Sequence, residues 1–316
     1  MKQSIIITGW AWFIGSNFLN KYVEKFPEIH WINIDSLTYA GKLENLSNAV
    51  KKAPNYSFEE VDIRDIWSLR QVYKKHSPTD IIHFAAESHV DNSIKNPTIF
   101  TETNVIGTQN LLDLHKEFNL NRFHHISTDE VYWDLPNGWF FTEKTPLNPS
   151  SPYSCSKASS DFYVKAYGRT YWIDYTITRC SNNYWPNQDN EKLIPHFFQL
   201  LREDKPVTVY WDGSNIRDWL YVEDHCDAIW EVFTRAETKA IYNIWGNNEY
   251  TNLEITKLIL NEMWKDESYI SYVTDRAWHD VRYAIDAKKI QDELWWLPKI
   301  HFEEWIKITL NYYKNN

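Results

Sequence analysis

The stretch Ser4-Ile5-Ile6-Ile7-Thr8-Gly9-Trp10-Ala11-Trp12-Phe13-Ile14-Gly15 decides the fold. Three consecutive isoleucines read as a short strand buried on both faces, the kind that parallel sheets contain. Thr8-Gly9 turns out of that strand, and helical spacing predicts a helix over 15–26. A strand, a glycine turn and a helix start in that order aim backbone N–H groups at the place where a dinucleotide pyrophosphate can sit. Working outward, strand patterns at 31–35, 56–61, 80–84, 122–127 and 175–179 alternate with helical stretches at 66–76, 100–117 and 154–171. Such alternation implies an α/β protein with a doubly wound parallel (Rossmann) sheet. Beyond Cys180 the spacing is broken by Pro186, Pro195 and Pro206, and short strands at 207–210, 241–244 and 269–273 suggest a smaller mixed α/β lobe. The expected division is a dinucleotide-binding domain over 1–180 and a substrate-binding lobe over 181–316, parts of which return to the first domain.

Bulk properties narrow the function classes. At 316 residues with 43% hydrophobic content, the chain can hold one large α/β domain and a small one. A net charge of −10 argues against wholesale binding of nucleic acid or an anionic membrane surface, while leaving room for a local basic pocket. Cys155, Cys180 and Cys226 are too few and too scattered for a disulfide framework or a zinc site, and read as buried, reduced thiols. No signal peptide is evident, because the apolar run ends in a turn after a few residues. A cytoplasmic location is therefore expected.

In a doubly wound sheet a ligand lies over the carboxyl ends of the strands. Asp35 ends the second strand, placed to accept hydrogen bonds from an adenosine ribose; Asp62-Ile63 ends the third; Phe84-Ala85-Ala86-Glu87-Ser88 ends the fourth. Singly each has a plain structural explanation, but in register with successive strand ends they favour a cofactor site. Ser127-Thr128-Asp129-Glu130-Val131-Tyr132 follows the fifth strand, and Tyr153-Ser154-Cys155-Ser156-Lys157 opens the next helix. Tyr153 and Lys157, four apart, share a helix face, where the ammonium is expected to lower the phenol's pKa and make it a base for an alcohol. The adjacent carboxyls Asp129 and Glu130 offer an acid and a base for removing water, provided that their environments split their pKa values. His89, His124 and His125 lack the spacing of a metal site, so no metal is expected, and they read as core or edge histidines.

With these motifs the chain resembles the extended short-chain dehydrogenase/reductases, the NAD-dependent epimerase/dehydratase family, and among them its nucleotide-sugar 4,6-dehydratases. The resemblance runs almost end to end. It is carried by 84–91, 127–132, Arg179-Cys180-Ser181-Asn182-Asn183-Tyr184, the segment 217–225 from Arg217 to His225, and Asp275-Arg276-Ala277-Trp278-His279-Asp280. It implies NAD as cofactor and dTDP-glucose as substrate. Tyr153, aided by Lys157 and Thr128, would deprotonate the 4-hydroxyl as C4 is oxidised; Glu130 would remove the C5 proton; Asp129 would protonate the departing 6-hydroxyl. Hydride return to C6 would leave a 4-keto-6-deoxy sugar. The resemblance further implies that NAD is held by Gly9, Trp12, Phe13, Ile14, Gly15, Asp35, Thr38, Asp62, Ile63, Phe84, Ala85, Ala86, Ser88, Thr103, Tyr153, Lys157 and Asn183. The nucleotide sugar would be held by Ser88, Thr128, Asn182, Lys192, Leu193, Tyr210, Arg217, Asn252, Arg276 and His279. A homodimer through the 100–117 and 154–171 helices, and a place in dTDP-rhamnose biosynthesis, are implied in the same way. A 4-epimerase or decarboxylase of the same fold would carry small or hydroxyl residues in place of Asp129-Glu130. A 4,6-dehydratase for GDP-mannose or CDP-glucose is the nearer rival, differing mainly in the base it recognises.

The departures from the family are nearly all of one kind. The chain has 17 Trp and only 8 Gly, where about 7% Gly is ordinary. Trp stands at family glycine positions 10, 12, 133, 139, 185, 211, 245 and 278. An indole at position 12 would fill the space of the pyrophosphate, and overpacking costs about 1–3 kcal/mol per site. A genome that reads UGA as Gly, translated with a table that reads it as Trp, would produce this pattern without touching the catalytic residue types. If Trp12 is real, a catalytically dead nucleotide-sugar binding protein becomes the rival.

Overall fold

The computed structural model describes residues 3–9, 13–38, 41, 43–135, 138–185, 188–274 and 281–315. Its centre is a sheet of seven strands: β1 (Ser4–Thr8), β2 (His30–Asp35), β3 (Tyr56–Glu60), β4 (Asp80–His83), β5 (Arg122–Thr128), β6 (Asp174–Cys180) and a seventh, Ala240–Ile244. With β7 (Asn182–Tyr184), β8 (Val207–Tyr210) and β9 (Ile216–Tyr221) lying between, the seventh is β10 in chain order. The order across the sheet is β10-β6-β5-β4-β1-β2-β3, and every pairing is parallel. The chain starts in the middle, winds outward to β3, then returns to β4 on the other side of β1. Between β1 and β4 the connections leave in opposite directions, so a crevice opens over their carboxyl ends.

The isoleucine run is buried through alternation. Ile5 and Ile7 face one layer, packed on Phe18, Leu19, Val222 and Ile229, while Ile6 faces the other with Ile32, Ile81, Leu69 and Leu111. Successive residues of a strand point to opposite faces, so only a sheet covered by helices on both sides buries all three. Asp65 caps the helix Ile66–His76 through the Trp67 and Ser68 N–H groups. Ser151 and Ser154 form a capping box at the start of Pro152–Thr170, with Pro152 in the first turn, which sets that helix two residues earlier than its spacing suggested. The first helix, Phe13–Tyr22, likewise begins before Gly15.

One expected helix is not uniform. The stretch 100–117 divides into a short α-helix, Pro97–Phe100, a π-helical turn, Thr101–Gly107, and an α-helix, Thr108–Glu117. The wide turn carries Asn104 to the strand-end loop, where its side chain exchanges hydrogen bonds with the Glu87 N–H (2.8 Å) and C=O (2.9 Å) and donates to Ser156 (2.8 Å). Periodicity cannot reveal such a bulge, whose sole signature is an extra residue in one turn.

β10, although it lies beyond residue 180, pairs in register with β6 from Ala240↔Thr176 to Ile244↔Cys180. The second lobe contains a three-stranded mixed sheet, with β9 between β7 and β11 (Glu249–Thr251), and a parallel pair of β8 and β12 (Ile270–Val273). Helices Leu193–Arg202, Asn252–Glu262 and Phe302–Asn315 close over a core that includes Tyr184, Phe197, Trp219, Ile255 and Phe302. Among the described residues, no helix is long and apolar enough to cross a membrane. All three cysteines are free; Cys180 and Cys226 are buried, but Cys155 is exposed, against expectation, because it sits on the outer face of its helix.

Candidate active site

Three connected hollows run from the sheet crevice into the second lobe. The first is lined by Gly9, Asp35, Thr38, Asp62, Ile63, Phe84, Ala85, Ala86 and Thr103. The second, deeper, is lined by Phe13, Ile14, Phe84, Ala86, Ser88, Thr128, Asp129, Glu130, Tyr153, Lys157, Asn182, Asn183 and Lys192. The third, a cleft of about 370 Å³, is bounded by Ser88, Glu130, Asn182, Lys192, Leu193, Tyr210, Arg217 and Asn252. Residues predicted for cofactor, chemistry and substrate thus fall into three successive compartments. Gly15 lies buried in the first helix rather than in the wall of a hollow. Trp12, Arg276 and His279 lie outside the described residues.

The first hollow is shaped to take a backbone-hugging group. Gly9 has φ +72°, and a Cβ built on it would lie 2.3 Å from the Ala85 Cα. Its N–H donates to the Ile34 carbonyl at 3.0 Å, tying the turn after β1 to β2. Only glycine brings the two strand ends so close, and Phe13 and Ile14, at the start of the next helix, line the adjoining second hollow, an arrangement suited to a dinucleotide pyrophosphate. Asp35 sits at the end of β2 with its carboxylate accepting the Leu37 N–H at 2.8 Å. Sequence reasoning missed Arg64, which lines this hollow and is paired with Asp62 at 2.6 Å; a lone Arg in a loop carries no motif.

Thr128 ends β5, and its hydroxyl accepts the Glu130 N–H (3.3 Å) to cap the single helical turn Asp129–Val131. That turn places two neighbouring carboxyls in different surroundings. Asp129 is fully buried, and burial, with Glu130 beside it, pushes its pKa well above the ordinary carboxylate range. Glu130 is half-buried and reaches both the second and third hollows. One group is thus held as an acid next to another that meets solvent.

Across from them, Tyr153 and Lys157 are both buried on one face of Pro152–Thr170. Here one expectation is corrected. The phenol is pushed up rather than down: burial dominates, the charges of Glu130 and Asp129 and the Cys180 thiol add to it, and a hydrogen bond with Thr128 opposes it. The Lys157 ammonium donates to the Ile126 carbonyl at 2.7 Å. Burial lowers the Lys157 pKa to about 8, against the pull of Asp161.

His124 is a core residue bridging Thr176 (2.7 Å) and Thr178 (3.3 Å); His125 and His83 are also buried, and burial with Lys157 nearby holds both neutral. His89 is different, lining the third hollow 3.6 Å from Glu191. Among the described residues, no cluster of His, Cys, Asp or Glu could hold a metal ion. Arg217 is a buried residue of β9 that lines the third hollow. Its guanidinium donates to the Ile216 carbonyl (2.7 Å) and stacks 4.9 Å from the Tyr283 ring centroid. Asp218 accepts from Ser181 and from the Gly246 and Asn248 N–H groups.

A family model described as GDP-mannose 4,6 dehydratase matches residues 6–309. The chain belongs to this dehydratase family. Curated family relatives include the dTDP-glucose 4,6-dehydratases of Escherichia coli, 44% identical over 99% of this chain and 94% of that protein, and of Neisseria gonorrhoeae, 44% identical over 100% of this chain and 96% of that one. A dTDP-glucose 4,6-dehydratase from Streptomyces venezuelae, solved with NAD bound, superimposes with a TM-score of 0.95 at 42% identity, covering 99% of this chain and 98% of that one. A UDP-glucose 4-epimerase from Thermus thermophilus, also solved with NAD, reaches 0.90 at 26% identity with 99% of each chain covered. The shared fold therefore does not separate dehydration from epimerisation within this group. The acidic pair after β5, with one carboxyl buried and the other half-buried, is the arrangement that removal of water calls for.

Proposed function

We propose that the chain dehydrates dTDP-glucose to the 4-keto-6-deoxy sugar with NAD as a recycled cofactor. One observation carries the reading: a buried Asp129, whose pKa burial raises well above the ordinary carboxylate range, stands beside a half-buried Glu130, in the same hollow as Tyr153 and Lys157. Alcohol oxidation alone needs the Tyr-Lys pair; elimination of water needs an acid and a base of split pKa as well.

The close approach at Gly9, the walls formed by Phe84, Ala85 and Ala86, and Asp35 at the ribose end fit NAD in the first hollow. Bound there, NAD supplies a hydride acceptor for C4 and a hydride donor for C6. Thr103, Asn183 and Ser88 line its path toward the sugar. Tyr153 takes the 4-hydroxyl proton with Thr128 orienting its phenol, and the Lys157 ammonium lowers the cost of the phenolate. The C4 ketone acidifies C5, whose proton Glu130 removes, while Asp129 gives its proton to the departing 6-hydroxyl; Glu130 then returns a proton to C5 as C6 gains hydride. Arg217, Lys192, Asn182 and Asn252 hold the nucleotide diphosphate in the third hollow, with Leu193 and Tyr210 flanking it. The substrate-binding lobe is thus the part of 181–316 outside β10 and the helices Val222–Arg235 and Lys288–Leu294 that pack with the central sheet. Exposed Ile106, Phe162 and Tyr163 on the helices at 101–107 and Pro152–Thr170 support a homodimer through that face, and the cytoplasm is the proposed location.

Incubation with dTDP-glucose and NAD, followed by assay of the alkali-absorbing 4-keto product, tests the reading; NAD binding with no product would refute it. Two further results are expected. Because burial lowers the Lys157 pKa to about 8, the ammonium is lost above that pH, so kcat should fall on the alkaline side of about 8, approaching tenfold per pH unit. Arg217→Ala should raise KM for the sugar nucleotide by about 10–100-fold with a smaller change in kcat, the cost of one charge-assisted phosphate contact; steady-state kinetics separates the two.

A further inference from the structure

Beneath the reacting groups lies a buried ion pair for which the mechanism above has no use. Tyr153, Lys157 and Asp161 recur every four residues on one stripe of the helix Pro152–Thr170. Asp161 is wholly buried and accepts the Arg179 Nε–H at 2.9 Å. Arg179 extends from β6, where its register partner is Ser127, one residue before Thr128. Its Nη1 donates to the Tyr132 hydroxyl at 2.7 Å, its guanidinium lies 4.9 Å from that ring's centroid, and the Tyr132 hydroxyl donates to Asn243 on β10 at 2.8 Å. Tyr132 is two residues past Glu130. One continuous polar chain therefore joins the helix of Tyr153 and Lys157 to the segment of Asp129 and Glu130.

We propose that Asp161 and Arg179 are positioning residues: their pair locks the oxidising and the eliminating halves of the site in one arrangement and gives the Lys157 ammonium its counter-charge. A buried ion pair is poor ground for stability, since apolar residues of similar size often serve as well. Its ends, however, lie on the helix that carries Tyr153 and Lys157 and, through Tyr132, on the segment that carries Asp129 and Glu130. The groups facing Lys157 are Asp161 from its own helix, His83 from β4, His125 from β5 and Cys180 from β6. Both histidines are held neutral, and the second Asp161 oxygen lies 3.5 Å from His125 Nε2. Asp161 is the carboxylate of that set, so its removal leaves the burial of Lys157 opposed by no carboxylate.

The inference rests on the dehydratase reading, and the parent enzyme is assayed in the same series. An inactive parent would remove that reading itself, and with it this use of the pair. Asp161→Asn should move the alkaline limb of the kcat profile to lower pH by about one unit and cost about fivefold in kcat at pH 8, with KM little changed; Asp161→Glu should recover part of both. The double variant Asp161→Leu with Arg179→Met removes the pair without leaving a lone buried charge, and should fold while showing the same displaced limb. A parental pH profile in either folded variant of an active parent would overturn the proposal.

A second inference rests on backbone angles. Among the described residues, eleven non-glycine residues have φ in the left-handed range, and five of them are tryptophans: Trp133 (127°), Trp172 (60°), Trp211 (51°), Trp264 (57°) and Trp295 (61°). A bulky side chain there is a genuine outlier, and the usual occupants besides Gly are Asn and Asp. All five indoles are exposed. Three stand just past helix ends, after Thr170, Glu262 and Leu294, where glycine is most enriched. At one of them, Trp264 N donates to Asn261 O (3.1 Å) and Lys265 N to Leu260 O (3.0 Å), the bonding of a glycine-terminated helix. Trp31, Trp219 and Trp296, by contrast, are buried in apolar clusters with φ outside that range.

We infer that these five positions are glycine in the protein as its own cell makes it, through a UGA codon that the cell reads as Gly. The adjacent pair Trp295, 84% exposed, and Trp296, 5% exposed, provides an internal control. The gene should show UGA at 133, 172, 211, 264 and 295 and UGG at 296. Peptide masses of natively produced protein should give glycine at the five and tryptophan at 296. UGG at the five, or tryptophan masses there, would overturn the inference.

Discussion

Glu130→Gln should lower formation of the 4-keto-6-deoxy sugar by about 10²–10⁴, the usual worth of a positioned general base, which corresponds to about 2.7–5.4 kcal/mol of barrier. The amide keeps the shape but cannot take the C5 proton. Oxidation at C4 depends on Tyr153 and Lys157 and should survive, so reduced cofactor should accumulate on the enzyme and be visible by its near-ultraviolet absorbance. Asp129→Asn should cost a similar factor for the opposite reason. Its burial keeps the native carboxyl protonated, and the amide has no acidic proton to give the departing hydroxyl. The two variants separate in deuterated water: Asp129→Asn should still exchange the C5 proton of bound substrate, whereas Glu130→Gln should not. Exchange in both, or in neither, would reassign the pair.

Gly9→Ala should be the most damaging single methyl in the first domain. The added carbon would stand 2.3 Å from the Ala85 Cα and 2.4 Å from its nitrogen, both backbone atoms, at a φ of +72°. A left-handed conformation costs an L-residue about 1–2 kcal/mol, and overpacking adds about 1–3. The sum, roughly 2–5 kcal/mol, is a large share of an ordinary stability of about 5–15 kcal/mol. Relief requires β1 and β4 to separate where the cofactor would lie, so NAD affinity should drop by at least about tenfold with the stability. Denaturant titration with and without NAD measures both. An unchanged midpoint together with unchanged affinity would mean that the strand ends need not approach so closely.

The sheet was legible because its signal is local. Ile5-Ile6-Ile7 can be buried throughout only between two helical layers, and the acidic and small residues at successive strand ends mark one edge of the sheet. The helix Ile66–His76 was readable to the residue because Asp65 supplies its own cap. The π-turn at Thr101–Gly107 was not, since a single extra residue disturbs no hydrophobic period. Neither was the Asp161–Arg179 pair, whose partners are 18 positions apart and meet because a helix crosses a neighbouring strand. For the proposed catalytic groups, the family pattern pointed to Asp129, Glu130, Tyr153 and Lys157, which line one hollow, but the Tyr153 shift runs opposite to the direction expected. Spacing places an ammonium near a phenol; it does not report the burial that outweighs it. The helix-terminal tryptophans at 172 and 264 also escaped sequence reading, because only a backbone angle distinguishes them from ordinary exposed residues.

The pairing of β10 with β6 has a consequence for the order in which the chain can be finished. On a ribosome the protein emerges from its N-terminus, so the first six strands leave the tunnel while the seventh is still unmade. Until residue 244 is free, β6 is an unprotected edge, offering its row of unpaired amides and carbonyls to any passing strand. Cys180, at the end of that edge, borders the catalytic hollow. Synthesis of the nucleotide-sugar lobe thus has to run well under way before the catalytic half is sealed, and a nascent chain stalled in between is the form of this protein most exposed to aggregation.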